Sequence, residues 1–244
     1  MRTSFATISK QGARNNNEDY LLVMDRPEAK RLTGIVCDGM GGNVGGNVAS
    51  STAVRSISER ITTAYRENMS SSSIRNLLVT AITNANFEIF DMASANPDLA
   101  GMGTTVVAAI MDDTNIYVAH AGDSRAYIVS KSSIRQITRD HSLVQKMIEN
   151  GEITEEEAVR HPSKNLITRA LGVDENLRVD FNEEPCGERT MLLICTDGLT
   201  NYVTDEEIHE TILKGRNTDF AETLVDLANE HGGGDNITVV AVEG

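Results

Sequence analysis

Strand-length apolar runs sit at both ends and in the middle of this chain, and helical patterns come between them in pairs rather than singly. This order constrains the fold most. Strict β-α alternation would build a parallel sheet with crossover helices. Strand runs separated by helix pairs instead predict antiparallel sheets covered by helices, an α+β layered architecture. "TSFATIS", "DYLLVM" and "LTGIVCD" open the chain as strands. From Val48 to Tyr65 the period changes, with Val54, Ile57, Ile61 and Tyr65 on one helical face. After the Ser70–Ser73 run, Ile74, Leu77, Leu78, Ala81, Ile82, Ala85 and Ile89 stripe a second helix. "TTVVAAIM", "NIYVAHAG", "RAYIVS" and "IRQIT" follow as short strands joined at Gly, Asp and Asn.

From Asp140 to Gly172 the pattern is helical and polar. Thr154 and Glu157 make a capping-box signature, and His161-Pro162 ends that helix. "TMLLICTD" is the next strand. Thr204 with Glu207 opens another helix, a last helix runs from Asp219 to His231, and "ITVVAV" closes the pattern. With no repeat, low-complexity tract or linker, residues 1–244 read as one domain carrying an insertion at 140–172.

A net charge of -14 argues against nucleic acid as a partner, because neutralising phosphates needs a basic surface. No apolar run approaches the ~20 residues of a membrane span, and the N-terminus lacks the apolar centre of a signal peptide. Three cysteines cannot all pair, and Cys37 and Cys195 fall in expected core strands. Free thiols in the cytoplasm are therefore expected.

Four aspartates repeat one arrangement. Asp38 ends "GIVCD", Asp123 follows "YVAHAG", Asp197 follows "MLLICT", and Asp235 precedes "NITVVAV", each with glycine within two residues. One such aspartate is most simply a turn. Four at strand ends can converge, and converging carboxylates repel one another unless cations offset the charge. Oxygen ligands suit Mg²⁺ or Mn²⁺, and no His/Cys spacing points to zinc. Gly39 leaves room for a backbone carbonyl to approach an ion.

"GARNNNEDY", "CDGMGGNVGGNVAS", "GMGTTVVAA", "AHAGDSRAY", "DHSL", "ICTDGLTN" and "GGGDNITVV" resemble, in order, the motifs of the metal-dependent Ser/Thr protein phosphatases of 2C type, the PPM family. The likeness spans Gly12 to Val242 and is strongest to the short bacterial members. It implies a four-layer α/β/β/α sandwich, two antiparallel sheets flanked by helices, with a metal cleft at one end. By motif position Asp38 resembles the ligand bridging two ions, and Gly39 a carbonyl ligand. Asp197 and Asp235 resemble the ligands of the other site, and Asp123 with Asp197 a weaker third site. Glu18 and Asp19 resemble groups that hold metal-bound waters. The resemblance therefore implies two to three Mn²⁺ or Mg²⁺ ions.

Ions about 3.5–4 Å apart can activate a shared water for in-line attack on phosphorus. Arg14 suits two phosphate oxygens at once and holds the family's phosphate-binding place; otherwise it is a surface partner of Glu18 or Asp19. Asn236 either orients the site or is a plain turn residue. His120 reads as a packed core histidine, Thr104 and Thr105 as packing residues, and Ser124 and Arg125 as braces of the aspartate loop. The 140–172 insertion resembles the family's flap beside the cleft, and its acidic "GEITEEEAV" reads as a solvated helix face.

The pattern breaks at Met40, Asn43 and Asn47. Relatives carry His at position 43 and often an acid at 47, and some carry His, assigned as general acid, at position 40. Neither Met nor Asn supplies a proton near neutral pH. The expected function is hydrolysis of phosphoserine and phosphothreonine in proteins, in a monomer that counteracts a bacterial Ser/Thr kinase. The alternatives are a non-catalytic member that binds phosphoproteins or metals, and a phosphohydrolase of small esters.

Overall fold

The structure, a computed structural model, describes residues 4–26, 31–187, 190–215 and 219–243, with only the backbone at 42 and 43. The side chain of Asn43 thus lies outside the described residues. Among the described residues eleven strands pair antiparallel in two sheets. One sheet runs β1 (Ser4–Lys10), β11 (Ile237–Glu243), β10 (Met191–Cys195), β7 (Arg125–Val129), β8 (Ile134–Gln136). The other runs β2 (Asp19–Arg26), β3 (Arg31–Met40), β5 (Val106–Met111), β6 (Asn115–Ala121), β9 (Asp180–Pro185), with β4 (Gly103–Thr104) paired to the end of β3.

The two-residue period of each central strand sorts its side chains into separate cores. Val107, Ala109 and Met111 of β5 meet Leu192, Ile194, Val240 and Val242 of the other sheet. Val106, Ala108 and Ile110 point the other way, against α1 (Gly42–Ala64) and α2 (Ser71–Ala95). Across the molecule Leu193, Cys195, Val239 and Ala241 pack under α6 (Asp205–Lys214) and α7 (Phe220–Glu230). The result is the four-layer sandwich. Burying one stripe of α2, from Ile74 to Ile89, holds that helix in place. Both Thr154–Glu157 and Thr204–Glu207 form reciprocal capping boxes. The cysteines are unpaired thiols, buried at Cys37 and Cys195. No helix among the described residues is long and apolar enough to cross a membrane.

Three features differ from the sequence reading. α1 starts at Gly42, six residues before Val48, because close packing there outweighs the low helix propensity of glycine. β9, "DFNEEP", has no apolar alternation and is an edge strand with one partner, β6, where polar residues and Pro are tolerated. Within 140–172, α3 (Leu143–Glu149) and α4 (Glu155–Val159) are short, and residues 160–172 are mostly irregular, tied back by bridges Ser142–Ile167 and Thr104–Leu171.

Candidate active site

The sandwich brings the singled-out carboxylates to one of its ends. Asp19 opens β2 in register with Asp38 near the end of β3. Asp123 follows β6, Asp197 opens the one-turn helix α5 (Asp197–Thr200) after β10, and Asp235 precedes β11. A cleft of about 560 Å³ opens there, lined by Arg14, Glu18, Asp38, Asp197, Asp235 and Asn236. Met40 and residues 165–167 of the insertion complete its wall. Asp123 is buried and does not reach that wall.

Polar side chains from neighbouring segments brace the carboxylate-bearing strands and loops. Thr105 Oγ1 accepts the Asp38 N–H (3.0 Å), and Thr104 Oγ1 donates to the Asp38 carbonyl (2.9 Å). Both threonines are buried clamps, in line with a packing role. Thr196 Oγ1 donates to Asp19 Oδ2 (3.0 Å) and accepts the Thr238 N–H (3.0 Å). The Asn236 amide donates to the carbonyls of Gln11 and Asn16 (both 2.8 Å), and its Oδ1 accepts the Glu18 N–H (2.9 Å). Asn236 therefore holds the whole loop that carries Arg14 and Glu18, a larger task than turning the chain. Ser124 bonds Thr105 Oγ1 (2.7 Å), and Arg125 grips Asp140 with Nε and Nη2. Asn47 donates to the Asn17 carbonyl (3.3 Å), so it also supports that loop.

Gly39 is required for a reason the sequence does not display. A Cβ there would lie 2.2 Å from the Gly46 carbonyl oxygen and 2.7 Å from that of Glu18. β3, the loop before β2 and the first turns of α1 approach too closely for any side chain.

Arg14 pairs with neither Glu18 nor Asp19. Its Nη2 lies 2.8 Å from Asp235 Oδ2 and its Nε donates to the Gly234 carbonyl (3.1 Å). Asn236 and the Ala13–Gly233 backbone bond draw the loop onto this turn. The Arg14 side chain stays 56% exposed, open to the cleft.

The electrostatics are those of crowded acids. Burial, then Asp19, Asp197, Asp123 and Asp235, push the Asp38 carboxyl well up. Burial and then Asp197 lift Asp123 to about 8. Burial and then Asp235 raise Asp197 to about 6, against hydrogen bonds with Asp38 and Asn201. Burial carries Asp19 to about 7. Oδ1 of Asp123 and Oδ1 of Asp19 are buried without a hydrogen-bond partner. As placed, no three acidic, His or Cys side chains among the described residues form a ready cage, and Asp235 is turned to Arg14. The donor set, carboxylate oxygen with unsatisfied lone pairs and mutual repulsion, nonetheless fits hard divalent cations.

The model of the Protein phosphatase 2C family matches residues 9–231. The chain belongs to that family. This phosphatase is 43% identical over 235 residues to the serine/threonine phosphatase stp of Listeria innocua, covering 94% of this chain and 91% of that protein. Its fold superposes on Staphylococcus aureus Stp1 with a TM-score of 0.93 at 32% identity, covering 100% and 95% of the two chains. The catalytic domain of PstP, solved with two manganese ions, superposes with a TM-score of 0.85 at 30% identity, over 99% and 97%. The phosphatase is thus a serine/threonine phosphatase of 2C type, acting on phosphorylated proteins.

The insertion expected beside the cleft supplies Asn165, Leu166 and Ile167 to its wall, residues the sequence does not single out within it.

Proposed function

We propose that the phosphatase hydrolyses phosphoserine and phosphothreonine with two Mn²⁺ or Mg²⁺ ions, and a third more weakly held. Asp38, the Gly39 carbonyl, Asp197 and Asp235 would hold the first two, and Asp123 with Asp197 the third. The observation that carries this reading is the convergence of carboxylates from both sheets on one cleft with Arg14 at its mouth. Bound ions supply Lewis acidity to a water and to the phosphoryl oxygens. Arg14 adds two donors for the transferring group, which stays anionic throughout. Asn236 keeps Arg14 and Glu18 in register with the carboxylates, and Glu18 and Asp19 accept hydrogen bonds from site waters. Met40 lines the cleft and carries no transferable proton, so protonation of the leaving oxygen falls to solvent within the site. We further infer a monomer in the cytoplasm, consistent with its free thiols, that opposes a bacterial Ser/Thr kinase on shared substrates.

The direct test is phosphate release from a phosphothreonine peptide by the purified chain, in Mn²⁺ and in excess chelator. Release only with metal is expected. None in either condition from folded, metal-loaded protein would sink the proposal. Turnover of a small aryl phosphate far above the peptide would move the substrate class to small esters.

Arg14→Ala is expected to lower kcat/KM on the peptide about 10- to 100-fold, the loss of a charge-assisted hydrogen-bonded pair. Mn²⁺ affinity should hold or rise, because Asp235 loses its competing partner. Kinetics equal to the parent would make Arg14 a surface ion pair.

A further inference from the structure

Behind the Asp123 loop two histidines stack face to face, ring centroids 4.8 Å apart and planes 4° from parallel. His120 lies in β6, where its Nε2 meets the Arg139 backbone. His141 begins the insertion. It grips the residue before Asp123 from both sides: its N–H donates to the Gly122 carbonyl (2.9 Å), and the Gly122 N–H donates to its Nδ1 (3.1 Å). A backbone N–H can only donate, so Nδ1 is the acceptor, and Nε2 lies 3.3 Å from Asp180 Oδ2. Arg169 Nη1, 2.8 Å from Nε2, also bonds Asp180 Oδ1 (3.0 Å). The His141 carbonyl accepts the Thr168 N–H (2.7 Å). Gly122 has φ +118, and a Cβ there would meet Thr105 Cβ at 2.6 Å, so the turn has one backbone path. Asp123 leaves that turn with Oδ1 buried and unpartnered.

We propose that His141 is a positioning residue for Asp123, acting through both hydrogen bonds to Gly122. It ties the start of the insertion, and through Thr168 and Arg169 its return, to the carboxylate that completes the third ion site. The inference rests on Asp123 being a ligand. Groups that orient a ligand without touching the ion typically cost 10–100-fold in affinity when lost.

The test is a calorimetric Mn²⁺ titration of the full chain, with the melting temperature in chelator as a check on folding. Asparagine carries an oxygen near the place of Nδ1, whereas glutamine reaches toward Nε2. His141→Asn should keep the weakest Mn²⁺ step near the parent value. His141→Gln and His141→Ala should weaken that step by about 10- to 100-fold while the tighter steps stay put. In an Asp123→Ala background, His141→Gln should change the remaining steps by less than about 2-fold. If His141→Ala does not fold, the Asn and Gln variants carry the comparison. The proposal is overturned by parent-like isotherms in His141→Gln, by equal damage from Asn and Gln, or by an Asp123→Ala isotherm identical to the parent. Because the readout is ion binding, a parent chain inactive on phosphopeptides would leave it standing while sinking the proposed reaction.

Discussion

Asp38→Ala is expected to abolish turnover of a phosphothreonine peptide in Mn²⁺ while the metal-free protein melts no lower than the parent. The two halves have one cause. Asp38 lies near the end of β3, its backbone clamped by Thr104 and Thr105, and burial and then four other carboxylates push its own pKa upward. As the bridging ligand it would be shared by two ions, so its loss removes several kcal/mol of charge stabilisation, about 1,000-fold or more in rate. Without metal the same side chain is one of a set of crowded acids, and deleting it relieves repulsion. The backbone clamps stay, because they hold N–H and C=O rather than the carboxylate. Asp197→Ala should behave alike. Peptide turnover and thermal melts in chelator check both, and parent-like turnover in both variants would refute the two-ion reading.

The second large effect is on the metal-free fold. Asp197, Asp19 and Asp123 have folded-state pKa values raised to about 6, 7 and 8, against about 4 for an ordinary aspartate. A raised carboxyl binds its proton more tightly folded than unfolded. Its contribution is therefore fully present below the unfolded value and is lost as pH rises through the folded one. In chelator, stability should fall from about pH 4 to about pH 8, by about 1.4 kcal/mol per pH unit for each carboxyl crossing its window. Asp180, held down by His141 and Arg169, acts in the opposite sense at the acid end, while His141, pushed down to about 4 by burial, and His120, also lowered by burial, oppose the fall up to about pH 6.5 and reduce it there. Mn²⁺ should flatten or reverse the slope, because the cation replaces the proton. Melting temperatures across that range, with chelator and with Mn²⁺, decide it. A level profile in chelator would mean the carboxylates do not crowd.

The layered architecture was legible because period and order carry it. β3, β5, β10 and β11 read as strands from apolar runs alone, and α2 from its stripe. β9 was not legible, since an edge strand satisfies its ladder on one side and needs no apolar alternation. The site was legible at Asp38, Asp197 and Asp235, where a carboxylate next to glycine ends or precedes a core strand. The partner of Arg14 was not. It depends on Asn236 folding the loop onto a turn about 220 positions away, and no local pattern encodes that contact. Nor does "DHSL" show that His141 faces Gly122, a contact set by how the insertion returns to the sheet.

The pairing of β1 with β11 joins Ser4 to Glu243, and β11 also lies between β1 and β10. Asp235 and Asn236 lead directly into that strand. During synthesis, most of the chain leaves the ribosome before this sheet can close or the loop around Arg14 can be set. Such long-range pairing forms late and slowly. A nascent chain therefore carries no assembled catalytic centre until β11 is in place, and dephosphorylation begins only after that strand has paired.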